Sequence, residues 1–599
     1  MRVADYVAQR VAEAGIRHIF MVPGGAAMHL NDAFGRQPPI DPVGNLHEQA
    51  CAIAAEAYAR ITGGPGAVLV TAGPGGTNTI TGLAGAWLDS TPVIFISGQV
   101  KRADLKDSRG VRQYGVQEID IVRIVGPLTK YAVTILEPES IRYHIDKALH
   151  LATTGRRGPV WLDIPLDVQG ASIEPEQLSG FTPERADPST GTDGLAARVR
   201  GAITLFNQAQ RPVLLVGHGV RMAGATEQFL QLAERWQIPV LTTWLAMDLI
   251  DAAHPLFFGR PGGMAPRGAN FTVQNADFLL VVGSRLDFGL VGYSYENFAR
   301  AARKVIVDID PAEIAKFPIP IDVPIVADAK AFFIEALSQS GRLQSQDRGT
   351  WIERCRTWKT KYPLLTTDHT DPSQPLSAYY FSHVLGEAME PGDVVVSGSS
   401  GFACEIFLLT YLRKRGQRIF HNRGTGAMGF GLPASIGACL GSGRNRTICV
   451  DGDGGFQMNI QELETVRRLN LPIKFFVVNN DGFASIRASQ NGYFKLLVCA
   501  DRTSGLTLPD ITKVAAAYGL ASRTIEGPSN LREHIQQVLN TPGPIVCEVV
   551  VRPDEARIPR LASFRKPDGN MVSRPIEDLF PFLDRKEFEE NMLVPVLDE

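Results

Sequence analysis

The chain has no uninterrupted apolar run of the roughly 18 residues a membrane-spanning helix needs, so it reads as a protein that does not cross a membrane. It has no Cys-x-x-Cys spacing either. Its seven cysteines, Cys51, Cys355, Cys404, Cys439, Cys449, Cys499 and Cys547, are odd in number and mostly in apolar surroundings, which excludes a disulfide or zinc framework and points to buried thiols in a reducing compartment. Neither sign of charge is in excess: 60 Lys and Arg face 63 Asp and Glu, the formal net charge is -3, and the isoelectric point is near 6.4. That balance leaves no basic footprint, so nucleic acid is not an expected partner. No short-period repeat is present. The first residues enter an amphipathic helix without a long apolar core and cleavage site, and a cytoplasmic location is the expectation.

What is there is an ordinary α/β composition. At 599 residues, with 44% hydrophobic and 21% charged residues and 58 Gly, the chain is too long for one core, and about 150 residues per domain predicts three or four. Strand, glycine turn, helix, strand recurs along it, the pattern of a doubly wound, mainly parallel sheet. Strands are expected over residues 16–22, 67–71, 92–97 and 158–165, then over 212–216, 238–242, 278–282 and 304–309, and finally over 393–397, 418–420, 447–450, 473–478 and 545–551. Residues 169–192 lose periodicity and read as a linker, and a charged stretch over 338–350 reads as a second boundary. Domains are therefore expected over 1–170, 193–340 and 376–553, with a tail over 554–599.

Chemistry concentrates between Gly452-Asp453-Gly454 and Asn479-Asn480. An Asp in a glycine turn at a strand end, a helix-forming run from Gln457 to Val466, and an apolar strand closing on paired Asn make one βαβ-sized unit. Asp453 and the side-chain amide of Asn480 are hard oxygen donors at the carboxyl ends of two strands, suited to Mg²⁺ that shares its shell with phosphate and water. The glycines allow close backbone approach, and the N-terminus of the following helix favours an anion. Taken alone, Gly-Asp-Gly reads more readily as a tight surface turn.

Twenty-four residues, 455–478, separate the turn from the Asn pair, and in this the chain resembles the thiamine diphosphate signature. Two further stretches extend the resemblance to the acetohydroxyacid (acetolactate) synthase family: His47-Glu48-Gln49-Ala50 after a strand, and Gly73-Pro74-Gly75-Gly76-Thr77-Asn78 some two dozen residues later. Gly424 to Ala434 is similar to that family's pyrimidine-holding segment, and Asn459 with Gln461-Glu462 also matches, although Asn459 reads equally as a helix cap.

The resemblance implies three doubly wound domains: pyrimidine-binding, central FAD-type, and diphosphate-binding. It implies Mg²⁺ on Asp453, Asn480 and the carbonyl of Gly482. Thiamine diphosphate would lie among Pro23, Gly24, Gly25, Thr71, Asn78, Ser399, Gly426, Met428, Gly452, Gly454, Gly455 and Phe483, with Met428 as the wedge that bends it and the Gly426 carbonyl as acceptor. Glu48 would be the acid beside the aminopyrimidine ring; a Glu that merely complements a helix start is the plainer alternative. Gln117 and Lys130 match channel residues, or are solvated surface residues. Arg285, in Gly283-Ser284-Arg285, and Asp310 would meet FAD, with 265–270 beside its ring, though many thiamine enzymes keep this domain empty.

The implied activity is decarboxylation of pyruvate and transfer of a two-carbon unit to a second carbonyl, in a homodimer or homotetramer whose sites form between subunits. Two departures open the acceptor side. Ser489 stands where the family carries a bulky Trp, and Ser399-Ser400-Gly401-Phe402 stands where the family has a VGQH-like stretch, so a larger ketone such as a keto sugar is an alternative acceptor. A simple 2-keto acid decarboxylase is a second alternative, against which stands the lack of any His-His pair. A non-catalytic cofactor-binding relative and a nucleotide-binding structural protein complete the set.

Overall fold

The computed structural model describes residues 1–599 except 107–108, 184–191, 399–400, 566–568, 570 and 598–599. Three parallel sheets account for its main strands. The first contains β1 (His18–Met21), β2 (Asp41–Gly44), β3 (Gly66–Val70), β4 (Val93–Gln99), β5 (Ala132–Thr134) and β6 (Val160–Pro165), in the order β2-β1-β3-β4-β6-β5. The second contains β7 (Pro212–Val216), β8 (Val240–Thr242), β9 (Phe278–Val282), β10 (Arg303–Asp308) and β11 (Val323–Val326), ordered β11-β10-β9-β7-β8. The third contains β12 (Val394–Ser397), β13 (Arg418–Phe420), β14 (Thr447–Gly452), β15 (Ile473–Asn479), β16 (Ala521–Glu526) and β17 (Ile545–Val550), ordered β13-β12-β14-β15-β17-β16. Each sheet reverses its winding at a switch point, between β1 and β3, β7 and β9, and β12 and β14, and the first and third reverse again at the far edge, where β5 and β16 lie outside β6 and β17. Crevices at the carboxyl ends of such strands are where open α/β sheets bind ligands.

The chain divides into two compact units. One holds the first and third sheets. Its shared core runs from Phe20, Val68 and Phe95 through Leu432 and Ile436 to Phe475 and Val546. The centre of this core is a pair of helices, Glu48–Thr62 and Gly431–Gly441, both built from small residues so that their backbones nearly touch. A Cβ on Gly437 would stand 1.9 Å from the carbonyl oxygen of Ala54. Gly437→Ala gains about 1 kcal/mol of helix propensity, but the clash is with backbone and forces the helices apart, an overpacking cost of about 1–3 kcal/mol or more. The variant should show a lower thermal midpoint; an unchanged or higher one would refute the close packing.

The other unit holds the second sheet, the helices Gly349–Lys361 and Ala378–Ala388, and the C-terminal residues. Trp351, Cys355 and Trp358 are buried against the sheet's own helix Arg267–Gln274, so the charged stretch over 338–350 leads into a helix of this same core. The tail docks here. Arg267 Nη1 donates to Leu579 O at 2.9 Å, Asn270 Nδ2 to Ile576 O at 2.6 Å, Gln274 Nε2 to Glu577 Oε2 at 2.6 Å, and Trp358 Nε1 to Asn591 Oδ1 at 2.8 Å. Arg267 and Asn270, expected beside a flavin ring, thus hold the tail.

Four of these strands escape the sequence pattern: β2, β5, β11 and β16 each form a sheet edge. The run expected to be one helix from Gln457 to Val466 is broken. A one-turn helix, Asp453–Phe456, passes into 3₁₀ turns over Gln457–Glu462 with a non-helical Asn459 (φ -138°, ψ 32°), and a regular helix resumes at Leu463. Among the described residues no helix is long and apolar enough to cross a membrane. Six cysteines are buried, Cys499 is exposed, and all seven are free thiols.

Candidate functional site

β14 and β15 are neighbours in register, Gly452 opposite Val478, so Asp453 and Asn480 leave adjacent carboxyl ends. The Asp453 carboxylate gathers the turn around itself. Its Oδ1 accepts from Gly454 N at 2.7 Å, and its Oδ2 from Asn480 N at 3.2 Å and Gly482 N at 3.0 Å. Burial still lifts this carboxyl to about 6. Asn480 is only 4% exposed, and its Oδ1 is buried with no hydrogen-bond partner among the described residues. Alternation along the strand turns its neighbour the other way, where Asn479 Nδ2 donates to Glu548 Oε1 on β17 at 2.8 Å. Arg487 fastens the loop from behind, donating to the carbonyls of Asn480, Asp481 and Pro553 at 2.7, 2.8 and 2.7 Å.

A carboxylate, an orphaned amide oxygen and the Gly482 backbone at φ +118° form an oxygen-donor cradle suited to a hard divalent cation completed by phosphate and water. Among the described residues no group of three His, Cys, Asp or Glu could hold a metal, which separates this cradle from zinc-type sites. The glycine turn is tight. Gly454 packs on Phe483, whose ring would lie 2.2 Å from a Cβ there. Gly452 and Gly455 are half-buried beside it, but only one helical turn follows, less than the helix the sequence predicted. Ser399 lies outside the described residues.

The first sheet supplies a second group. Glu48 opens the helix Glu48–Thr62 just beyond β2, with His47 as N-cap accepting from Gln49 N at 3.0 Å. Asn78 Nδ2 donates to Glu48 Oε2 at 2.9 Å, and Oε1 has no hydrogen-bond partner among the described residues. Asn78 ends the turn that begins at Gly73, whose φ of +64° and lack of a side chain let the carbonyl of Gln117 sit where a Cβ would be 2.6 Å away. Gln117 is itself left-handed (φ +62°) and exposed. Thr71 stands at the end of β3 with Gly24 and Gly75 pressed on its side chain and a buried Oγ1 that has no partner among the described residues; Pro23 and Gly25 are exposed across the switch point at the end of β1. Glu48, Thr71, Gly73, Asn78 and Gln117 are thus brought to one sheet edge.

Lys130 is not among them. It precedes β5 at the amino ends of the strands, opposite Pro159, and its Nζ donates to Thr154 O at 2.7 Å, while burial lowers its pKa. Because the strands are parallel, their length separates it from the group at the carboxyl ends.

Buried polar chains join the two halves within this unit. Asn459 Nδ2 donates to Gly429 O at 2.7 Å and to Gln49 Oε1 at 3.0 Å, so it is a tie between segments and not a helix cap. Glu462 accepts from Asn45 Nδ2 and Leu46 N, both at 2.8 Å. A buried cluster of Arg60, Glu56 and Asp89 carries the turn that precedes Met428. Arg60 Nη2 lies 2.6 Å from Glu56 and 2.8 Å from Asp89, which accepts from Arg423 N at 3.0 Å. Asn422 Oδ1 then accepts from Thr425 N at 3.0 Å and Gly426 N at 3.1 Å, fixing Gly426 at φ +58°. Met428 beside it is half-buried. Spacing does not reveal Asn45 or Asp89, because Glu462 and Arg423, which they meet, lie hundreds of residues away.

Below the Gln117 loop, Asp163 accepts from Ser97 Oγ at 2.6 Å, Thr134 Oγ1 at 3.1 Å and Gln99 Nε2 at 3.2 Å, and Gln99 also donates to Ile119 O at 3.0 Å. Burial raises Asp163 to about 6 from 3.8. The folded state therefore holds this proton more tightly than the unfolded chain. Its stabilising contribution is full below about pH 4, falls as pH rises through about 6, and is constant above. Between pH 4 and 7 the unfolding free energy of Asp163→Asn should gain on the wild type by about 3 kcal/mol at most. Urea midpoints at four pH values check this; parallel curves would refute it.

On the second sheet, Gly217, Gly219 and Gly283 interlock backbone on backbone at the switch point: a Cβ on Gly217 would meet Gly283 O at 2.1 Å. Arg285 follows, half-buried, and Asp310 caps the helix Pro311–Ala315 by accepting from Ala312 N at 2.9 Å.

Comparison with known proteins bears on both halves. Three family models match: the thiamine pyrophosphate enzyme N-terminal TPP binding domain over residues 1–124, the central domain over 199–337, and the C-terminal TPP binding domain over 401–549. The chain is 33% identical over 574 residues to a probable acetolactate synthase large subunit of Methanocaldococcus jannaschii, covering 93% of each chain. It is 33% identical to the chloroplastic acetolactate synthase 1 of Zea mays over 94% of this chain and 87% of that one. It is 30% identical to the acetolactate synthase isozyme 1 large subunit of Escherichia coli over 93% and 95%. Matches of this extent show that the chain belongs to the thiamine pyrophosphate enzymes, in their acetolactate synthase family, and that it is a thiamine diphosphate-dependent enzyme.

Proposed function

We propose that the protein is a carboligase that decarboxylates pyruvate and passes the resulting two-carbon unit to a second carbonyl compound. The observation that carries this is the presence, in one compact unit, of an oxygen-donor cradle ending in the orphaned Oδ1 of Asn480 and a carboxylate at a helix start, Glu48, held through one oxygen only. Thiamine diphosphate supplies, when bound, an electron sink for the pair left as carbon dioxide departs. Asp453, Asn480 and the Gly482 carbonyl would hold Mg²⁺ against its diphosphate, and the Gly452–Gly455 backbone leaves room for phosphate oxygens. Glu48 would share a proton with the cofactor ring through Oε1, which is free of hydrogen bonds among the described residues, while Asn78 fixes the carboxyl plane. Gln117 lines the approach from the same sheet edge.

FAD is the second organic cofactor proposed, on the glycine switch point of the second sheet with Arg285 and Asp310. Stacked, exposed rings of Phe288 and Tyr293, 6.3 Å apart and 10° from parallel, support a planar ligand there. A homodimer or homotetramer, with sites completed between subunits, is the proposed assembly.

One observation favours a larger acceptor such as a keto sugar. Ser489 is exposed on the helix Ala484–Tyr493, with its hydroxyl turned to Ile486 O at 3.0 Å, so no bulky side chain rises from that position. NMR product analysis with thiamine diphosphate, Mg²⁺, FAD and pyruvate as sole keto compound tests the reading. Rapid acetolactate establishes a second pyruvate as acceptor. Slow carbon dioxide release with only traces of ligated product supports the larger ketone, and no release at all would overturn carboligation.

A further inference from the structure

Glu462 is a carboxylate buried to 0% exposure with no cation bonded to it among the described residues. Such a group is costly to bury unless its lone pairs are used. They are: Oε2 accepts from Asn45 Nδ2 at 2.8 Å and Thr465 Oγ1 at 2.7 Å, and Oε1 accepts from Leu46 N at 2.8 Å. Asn45 and Leu46 form the turn between β2 and Glu48. Of the two, Asn45 is buried, whereas Leu46 is 55% exposed and is held by its backbone bond to Glu462. The same segment grips its flanks as well. Arg468 Nη2 donates to Gly44 O at 2.7 Å and Asn459 Nδ2 to Gln49 Oε1 at 3.0 Å. Residues 44, 45, 46 and 49 are therefore held by the stretch that starts at the Asp453 cradle, and Glu48 itself is left bonded only to Asn78.

We propose that Glu462 is a positioning residue for Glu48, setting the turn from which the helix start presents its carboxyl group. The proposal rests on the reading of Glu48 as the proton carrier. A carboxylate suits this place because all three groups it meets are donors. An amide there must turn an NH₂ toward one of them.

The test uses Glu462→Gln, which keeps the shape, and the exchange pair N45D/E462Q, in which the Gln amide can donate to the new carboxylate while its oxygen still accepts from Leu46 N. Three quantities are read: Leu46 amide hydrogen exchange in the cofactor-free protein, kcat and KM for pyruvate, and the Kd for thiamine diphosphate. In E462Q, Leu46 exchange should quicken by about 10-fold or more and kcat fall by about 10- to 100-fold, with KM and Kd within about twofold. The exchange pair should bring exchange rate and kcat back to within a few-fold of wild type. A merely structural role would lower the thermal midpoint and move KM and Kd together. Wild-type Leu46 exchange in E462Q, or an exchange pair that restores nothing, overturns the proposal. Glu48→Gln measured in parallel separates the two readings: turnover lost in E48Q but kept in E462Q overturns the positioning role alone, whereas turnover kept in E48Q removes the role of Glu48 and the proposal with it.

Discussion

Asp453→Asn should bind thiamine diphosphate and Mg²⁺ at least 100-fold more weakly than the wild type, while remaining folded. The side chain acts in two ways. It accepts from the backbone N–H groups of Gly454, Asn480 and Gly482, which shapes the turn, and it supplies the only carboxylate of the cradle. An amide of the same size must point its NH₂ at one of those donors and removes the charge that offsets a divalent ion beside a diphosphate. Loss of groups that merely orient a metal's ligands costs about 10- to 100-fold, so losing a ligand with its charge should cost more. The Asn pair provides an internal control. Asn480→Ala removes the orphaned Oδ1 and should weaken Mg²⁺ strongly; Asn479→Ala removes no ligand, only the bonds to Glu548 on β17 and from Asp481 N, and should weaken it much less. Titration of the cofactor at fixed Mg²⁺ measures all three. Equal losses in the two Asn variants would show that the cradle is not where the metal sits.

How far the sequence can be read follows from where its information is local. Central strands such as β7 and β9 are continuous apolar runs because helices cover both faces, β15 is broken only by Lys474, and they stand out within one or two residues of their observed ends. Edge strands do not. β16, Ala521-Ser522-Arg523-Thr524-Ile525-Glu526, buries only Ile525, and β5 has three half-buried residues, so neither carries an apolar signature. The metal turn is legible because Asp453 and Asn480 belong to one short unit with fixed spacing. Its continuation is misread as a single helix because the break at Asn459 is made by partners at Gly429 and Gln49, which no local pattern reports. Lys130 and Gln117 both match channel residues of the family, but the residues between them run along the sheet from its carboxyl edge to its amino edge and part the two. The tail's docking is likewise written in Arg267, Asn270 and Gln274, some three hundred residues before it.

Glu48→Gln should reduce turnover of pyruvate by about 10³-fold while leaving thiamine diphosphate affinity within a few-fold of wild type. The substitution preserves volume, and the Gln oxygen can still accept from Asn78 Nδ2, so the turn and helix start are retained. What is lost is the exchangeable carboxyl proton, and proton transfer by a placed group contributes about 10²- to 10⁴-fold in such reactions. Asn78→Ala should fall between, since it frees the carboxyl plane without removing the proton. Turnover unchanged in Glu48→Gln would end the assignment. The same variant tests whether sites are shared between chains. Coexpressed with Asp453→Asn, it would form, in the proposed homodimer, mixed dimers that pair the intact Glu48 of one chain with the intact Asp453 of the other. If each site draws these residues from different chains, two inactive proteins should yield about a quarter of the wild-type rate under random pairing. If both residues of a site come from one chain, every site carries a defect and the mixture stays inactive.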